Sequence, residues 1–434
     1  MIKKIISIRG MHDYLPYELK IWQKTEKILK KIFKNYGYYE IRLPILERTE
    51  LFNRSIGNVT DIIEKEMYTF YDKSKKNITL RPEATASCSR AYIENNLEKN
   101  IQQRFWYYGP MFRYERPQKG RYRQFYQFGC EVYGLNTKEI ELELIILLNR
   151  CWKSLKIDKK IFLEINSIGT IQSREKYKID LVKFLISNKK KLDKESKIKL
   201  YKNPLRILDT KNKLTQKLLI NSPNLLDYLD NNSKNYFKKL CKSLNKFKIP
   251  YKINNNLVRG LDYYNDIVFE WKSNNKKFSS QNTICAGGRY DNLIKTLGGN
   301  SSVPALGFAI GMERLIYIIN NEKSFFIKNL ETDIYIISNL NKKSIYHIKF
   351  AENIRNIFNN LRIVQDFNVG SIKKKITRSK KFNSKVTIII SYSQKNKKIF
   401  QIKYFNSSII KVLDFDKIVK ELQNYFNKLY GKFI

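Results

Sequence analysis

The stretch from Phe105 to Gly134 constrains the fold most. Phe105-Trp-Tyr-Tyr-Gly-Pro-Met-Phe-Arg113 reads as a strand, Tyr114–Arg121 as a charged loop, and Tyr122–Gly134 as a returning strand. Side chains alternate faces along a strand, so Phe125, Gln127, Gly129, Glu131 and Tyr133 share one side. A buried apolar face does not accept Gln and Glu without partners. A solvent-facing strand accepts them, but gives no reason for the central glycine. An aromatic ring, an amide, a gap and a carboxylate in a row read as the floor of a polar pocket, with the solvated strand as the competing reading.

The texture of the chain changes around this segment. The first 165 residues are dense in aromatics, Gly, Pro and Arg at irregular spacing. From about 170 to 250 the chain is rich in Lys, Asn and Leu and helix-like, notably over Asp180–Leu192 and Asn235–Phe247. Motif-like sequence returns near Val258 and persists to about Ile319. This predicts one catalytic domain over 1–325, interrupted by a helical insertion at about 170–250. A further domain is expected over 330–434: a buried strand at Asp333–Ser338 and a helix to about Asn360 come first. Apolar β-branched runs follow at Val386–Ser391, Ile399–Lys403 and Ile409–Leu413, then a helix from Phe415. The expected class is α/β: a catalytic domain of antiparallel sheet and helices, a helical insertion and a small C-terminal α/β domain. Near the start, Ile21, Ile28, Leu29, Ile32, Phe33 and Tyr36 recur at helical spacing. Gly37 would cap that helix, Tyr38–Leu43 would continue as a strand, and Pro44 would limit its pairing.

Several segments, in order, resemble one enzyme class. Phe112-Arg113-Tyr114-Glu115 with the basic loop behind it is similar to motif 2 of class II aminoacyl-tRNA synthetases. Gly307-Phe-Ala-Ile-Gly-Met-Glu-Arg314-Leu315 resembles their motif 3, a strand entering a helix with an arginine at the junction. The helix–strand–Pro44 unit resembles motif 1, the dimer interface of that class. Leu257-Val-Arg259-Gly-Leu-Asp-Tyr263-Tyr264 and Cys285-Ala-Gly-Gly-Arg289-Tyr290-Asp291 resemble the two signatures of histidyl-tRNA synthetases. Leu80-Arg-Pro-Glu83-Ala-Thr85 and Arg9-Gly-Met-His-Asp-Tyr-Leu-Pro16 fit the same family. The likeness spans essentially the whole chain, and several ordered motifs are far more specific than one short match.

The resemblance implies a histidine–tRNA ligase that first makes histidyl-adenylate and pyrophosphate from histidine and ATP. Glu83, Thr85 and Gln127 would hold the α-amino group, a fitting set of acceptors for an ammonium. Glu131 and Tyr264 would hold the imidazole, one at each ring nitrogen, with Tyr263 and Tyr290 beside them. Apolar competitors would leave those site groups unpaired. Arg113 and Arg259 would be the catalytic pair, Arg113 on the α-phosphate and Arg259 bridging it to the histidine carboxylate. Phe125 and Arg314 would enclose the adenine, and Arg121 and Arg123 would meet the outer phosphates. Magnesium is expected to come with the nucleotide rather than on a protein metal site. No general acid or base is needed for activation, because a carboxylate is already a nucleophile. Arg116 and Gln118 match loop residues that contact the tRNA acceptor end, and the C-terminal domain resembles an anticodon-binding domain. The sequence departs from the family at Ala84, Tyr114 and His12, where Gly, His and Asn are common. These positions flank the pocket residues and bear on efficiency rather than on the reaction.

Charge and composition add a weaker argument. The net charge of +43 suits a polyanion such as tRNA. The abundance of Lys, Asn, Ile, Tyr and Phe is also what AT-rich codons supply, so drift explains many of the lysines. No apolar run reaches the about 18 residues of a transmembrane helix, and the basic N-terminus is interrupted too early for a signal peptide. Five scattered cysteines and two histidines, His12 and His347, give no zinc pattern. The expectation is a reduced, cytoplasmic homodimer without membrane contact. Two rivals remain. A regulatory paralogue would bind histidine without charging tRNA, but such proteins typically lack the C-terminal domain and key arginines. A general nucleic-acid-binding protein accounts for the lysines but for none of the ordered motifs.

Overall fold

The computed structural model describes residues 3–57, 60–99, 102–137, 139–274, 282–320, 332–339, 345–392, 398–405 and 410–431. The chain divides into two compact units, Met1–Tyr14 with Ile21–Phe325 and Leu15–Lys20 with Phe326–Ile434. The junction expected between residues 325 and 330, and the first residue of the run expected from Ile409, lie outside the described residues.

An eight-stranded sheet organises the first unit. In spatial order its strands are Tyr39–Glu40, Gln103–Phe112, Gln124–Tyr133, Ala305–Gly311, Thr283–Arg289, Asn265–Ser273, Ile161–Ser167 and Tyr251–Ile253. The six central strands pair antiparallel, and the two outermost join parallel to their neighbours. The first strand is shorter than expected: only Tyr39 and Glu40 pair with Phe105 and Trp106, and Ile41 adds one backbone bond to Trp106. Pro44 has no N–H to extend it. The helix before it runs Pro16–Asn35, buries Trp22, Leu29, Ile32 and Phe33, and is followed by Gly37 at φ +77°. That left-handed turn suits glycine.

The helical segment sits in a crossover. The chain leaves the sheet after Ile161–Ser167 and returns beside it, parallel, at Tyr251–Ile253. A parallel return cannot be made by a tight turn. Helices Ile171–Ser187, Lys194–Lys202, Lys213–Leu219 and Asn231–Lys246 fill the connection, with short 3-10 turns between them. Their N-caps Thr170, Asp193, Asn212 and Asp230 each accept a backbone N–H from the first turn. Leu181, Leu185, Leu200, Ile207 and Leu219 share one core with Tyr264, Val268 and Tyr290 of the sheet side.

The second unit has a five-stranded sheet, ordered Ile363–Asp366, Ile334–Ser338, Val386–Tyr392, Lys398–Tyr404 and Ile410–Leu413. The first three are parallel and the rest antiparallel. Helices Tyr346–Ile357 and Phe415–Tyr430 close its core through Phe350, Ile354, Ile418, Leu422 and Phe426. Strand Ile363–Asp366 was not expected. It is four residues long and carries Gln365 and Asp366, so no apolar run marks it.

Candidate active site

The long strand pair predicted from sequence is present, Gln103–Phe112 against Gln124–Tyr133, with ten residues paired from Gln103↔Tyr133 to Phe112↔Gln124. Its polar face does two different things along its length. Phe125 and Gln127 line a cavity of about 170 Å³, together with Glu83, Thr85, Arg113, Arg121, Arg259, Tyr263, Tyr264 and Arg314. At the other end, helix Thr85–Glu94 covers the face. Thr85 Oγ1 donates to Glu131 Oε1 at 2.7 Å, and Tyr92 stacks on Tyr133 at 4.6 Å between centroids. Glu131 is therefore fully buried under the floor. Tyr107 also donates to its Oε1, at 3.0 Å, and Tyr290 to its Oε2.

The central glycine has a steric reason. A Cβ at Gly129 would overlap the Tyr107 ring and hydroxyl, the group that reaches Glu131. Gly307, on the next strand, lies against the Glu131 carboxylate and the Cys130 carbonyl in the same way. Burial, outweighing the three hydroxyl donors, pushes the Glu131 carboxyl up to about 8.

Glu83 precedes the same helix. Its Oε2 accepts from Thr85 N at 2.7 Å and its Oε1 from Ala86 N at 2.9 Å, so the helix start fixes the carboxylate. Burial still raises its pKa. Each oxygen retains acceptor capacity toward the cavity. Among the described residues, Gln127 Oε1 is buried there without a hydrogen-bond partner, and so is Arg259 Nε. Unpartnered buried polar atoms on a cavity wall point to a polar ligand.

The arginines converge from four elements. Arg113 leaves the end of its strand and donates from Nε to the Pro82 carbonyl at 2.9 Å. Its guanidinium lies 5.2 Å from the Phe125 ring centroid, so a base stacking on that ring must share it or displace the arginine. Arg314, in helix Met312–Asn320, donates to Gly120 O at 2.9 Å and Thr283 O at 2.6 Å, pinning the hairpin loop. Burial, then the charges of Arg121 and Arg113, push the Arg314 guanidinium down to about 10. Cations that destabilise one another in an enclosed space are a receptor for an anion. Arg121 is ion-paired with Glu115 and lies 3.6 Å from Glu66. Arg259 is ion-paired with Glu270, which Thr283 and Lys272 also hold, at 2.9 and 3.2 Å.

Four of the expected site residues stand apart from the cavity wall besides Glu131. Tyr290 lies beneath the floor with it. Arg123 stacks over Tyr114 at 3.8 Å and donates to the Glu115 carbonyl at 3.3 Å. Arg116 and Gln118 are exposed on the hairpin loop, whose tip is closed by reciprocal backbone bonds between Gln118 and Arg121. Sequence reasoning missed Tyr107, Glu270 and Glu313. Glu313 accepts from Tyr14 Oη at 2.7 Å and Tyr126 N at 2.8 Å, and burial pushes it up to about 7. The available signal was a lone carboxylate in an otherwise apolar run, Val268-Phe-Glu270-Trp271 and Ile310-Gly-Met-Glu313.

Comparison with known proteins gives a consistent result. The family model described as "Histidyl-tRNA synthetase" matches residues 10–315. A curated "Histidine--tRNA ligase" from Buchnera aphidicola subsp. Schizaphis graminum is 54% identical over 402 residues, 92% of this chain and 93% of that protein. One of the same name from Blochmanniella floridana is 48% identical over 425 residues, 98% of each chain. The apo S. aureus histidyl-tRNA synthetase structure superposes with a TM-score of 0.78 at 31% identity, covering 97% of this chain and 100% of that one.

Proposed function

The chain belongs to the histidyl-tRNA synthetase family, and from that premise we propose how its cavity activates histidine with ATP and loads it onto tRNA. The histidine carboxylate oxygen attacks the α-phosphorus of ATP, and pyrophosphate leaves with the electron pair of the broken P–O bond. A ribose hydroxyl at the tRNA 3′ end then attacks the carbonyl of the mixed anhydride, and AMP leaves.

One observation carries the assignment of roles: a corner of acceptors and a row of four arginines line one cavity, with the Glu115 and Glu313 carboxyls beside the arginines. Glu83, Thr85 and the unpartnered Gln127 oxygen form an acceptor corner suited to the substrate ammonium. Arg113, Arg121, Arg259 and Arg314 form a cationic wall suited to a triphosphate. Arg259 is the bridging group, and its free Nε is the donor for the carboxylate or the α-phosphate. Catalysis by this wall is positioning and charge stabilisation, which suits a reaction whose nucleophile needs no base. Tyr263 and Tyr264 face the imidazole, with rings 4.6 Å apart. Thr85 and Tyr107 both donate to Glu131 Oε1, so an imidazole that reaches that oxygen displaces one of them. Phe125 and Arg314 bound the adenine, and Arg121 turns from Glu115 to the outer phosphates. Arg123, held on Tyr114, supports the loop or joins those phosphates if the loop shifts.

Magnesium fits as a substrate-borne ion. Among the described residues no three His, Cys, Asp or Glu side chains cluster as a metal site. Magnesium commonly binds through phosphates, waters and one or two carboxylates, and Glu115 and Glu66 flank the arginine at that end. Arg116 and Gln118 meet the acceptor end, and the unit after residue 326 takes the anticodon. The working form is a homodimer: Tyr39 in the motif 1 unit, Ile45 and Leu46 directly after Pro44, and Phe70 and Tyr71 in a strand of the same small sheet as Leu46, are exposed apolar side chains. Among the described residues no helix is long and apolar enough to cross a membrane, and the proposed site of action is the cytoplasm. Histidine-dependent exchange of labelled pyrophosphate into ATP tests the activation step. Transfer of labelled histidine to tRNA tests the second step.

A further inference from the structure

The loop Leu257–Tyr264 carries Arg259, Tyr263 and Tyr264; Leu257 and Tyr264 join the insertion's apolar core, but part of the loop faces open space on that side. A cavity of about 310 Å³ lies there, lined by Arg174, Arg206, Val258, Leu261, Asp262 and Tyr264 among others. Two side chains from the helical insertion span the gap. Arg174, in the first turn of helix Ile171–Ser187, donates from Nη1 to the Tyr264 carbonyl at 2.9 Å. Arg206, in the 3-10 turn Pro204–Asp209, donates from Nη2 to Asp262 Oδ1 at 2.8 Å. From the opposite side, Asp262 N donates to Ile56 O at 3.1 Å. Gly57, at φ +95°, lies so close that a Cβ would overlap the Asp262 carboxylate.

Asp262 is thus gripped between the Ile56–Gly57 turn and Arg206, one residue before the tyrosine pair. Helix Lys194–Lys202, just before the turn that carries Arg206, is tied to the segment leading to Glu66 by Lys202–Glu64 at 2.8 Å and Lys199–Asp61 at 3.6 Å. Where the loop faces the void, its polar contacts act only while both partners are present, because open space offers no dispersion contacts to replace them. We propose that Arg174 and Arg206 are positioning residues for the amino-acid subsite, so that docking of the insertion sets the placement of Tyr263 and Tyr264. Neither arginine lines the cavity that holds Gln127, Arg113 and Arg314; both act through the loop. The inference rests on the proposed function, since it concerns how that subsite is held.

The effect falls on histidine more than on ATP, because Arg113 and Arg314 are anchored elsewhere, through Pro82, Gly120 and Thr283, and Arg259, although on the loop, is held by Glu270. The Arg206 side chain is 15% exposed and Asp262 38%, so the pair is partly screened and the expected change is moderate. Pyrophosphate exchange with Arg206→Ala should show the KM for histidine raised about three- to tenfold, with the KM for ATP within about twofold of the unsubstituted chain. Arg206→Lys, which keeps one charged donor, should recover most of the loss. In an Asp262→Asn background, Arg206→Ala should add little. Arg174→Ala should shift the same parameter in the same direction. The proposal is overturned if both KM values stay unchanged, or if they rise together with a fall in thermal midpoint that Arg206→Lys does not reverse. Absence of histidine-dependent exchange in the unsubstituted chain is a separate outcome, and it removes the functional reading itself.

Discussion

Arg259 shows how much a single side chain does here. It is held by Glu270 on one edge and leaves Nε unpartnered on a cavity wall. Replacing it with alanine removes a fixed cation from where negative charge develops. Pyrophosphate exchange should fall by on the order of 100-fold or more, with the fold intact by circular dichroism. A loss below tenfold would remove Arg259 from the catalytic role. Glu131 predicts a different signature. Its folded pKa is about 8, whereas an unfolded carboxyl titrates near about 4.3. Between those values the folded chain binds a proton that the unfolded chain does not. The stability tied to this group is therefore complete below the unfolded value and is lost as pH rises through the folded one. Glu131→Gln keeps the shape without the titration. From about pH 5 to about pH 9, the thermal midpoint of the unsubstituted chain should drop relative to Glu131→Gln. Parallel curves would show that the carboxyl is not held protonated.

Elements decide which of these residues become a site. Strand Gln124–Tyr133 is cavity floor at Phe125 and Gln127 and buried core at Glu131 and Tyr133, because helix Thr85–Glu94 lies over one end. Alternation along the strand was readable from sequence; the covering helix was not, since it is brought there by residues some forty positions away. Tyr107 escaped notice for a like reason: it sits in a strand rich in aromatics, and only the neighbouring strand reveals its partner, whereas Glu270 is met by Arg259 from a loop. The Gly307–Leu315 strand-to-helix junction was expected from its resemblance to a known motif, and the structure has it as Ala305–Gly311 and Met312–Asn320. The insertion's four helices appeared in the sequence as two, because Lys- and Asn-rich segments lack a clean apolar period and are ordered by their caps and by Leu contacts. Gly307→Ala follows from this packing. Its Cβ would overlap backbone and the Glu131 carboxylate, so destabilisation of at least about 2 kcal/mol is expected by chemical denaturation. The hairpin loop makes a separable prediction. Gln118→Ala, exposed at the tip, should reduce transfer to tRNA several-fold more than adenylate formation. Equal losses in both steps would count against an acceptor-end contact.

At the scale of the whole molecule, the charge of +43 must be shared between tRNA binding and tolerated drift. Part of the basic surface is already spoken for: Arg378 is bonded to Asp366 at 2.9 and 3.1 Å, and Lys375 Nζ donates to the Ser338 carbonyl. Under the proposed function, exposed lysines of helix Ile372–Lys381, such as Lys373, Lys380 and Lys381, remain open to meet phosphate; a solvated face is the competing reading. Affinity for tRNA should fall by orders of magnitude as salt rises from about 50 to about 200 mM, as counterion release requires. A flat salt response would assign the charge to drift. The account turns, however, on the pairing of an ammonium corner with an arginine wall in one cavity, and pyrophosphate exchange reads that pairing directly. Incubated with ATP, labelled pyrophosphate and each amino acid in turn, the protein should form labelled ATP with histidine alone, and Arg259→Ala should remove nearly all of it. A folded, histidine-binding protein that exchanges with no amino acid would contradict the account and leave a regulatory binding role in its place.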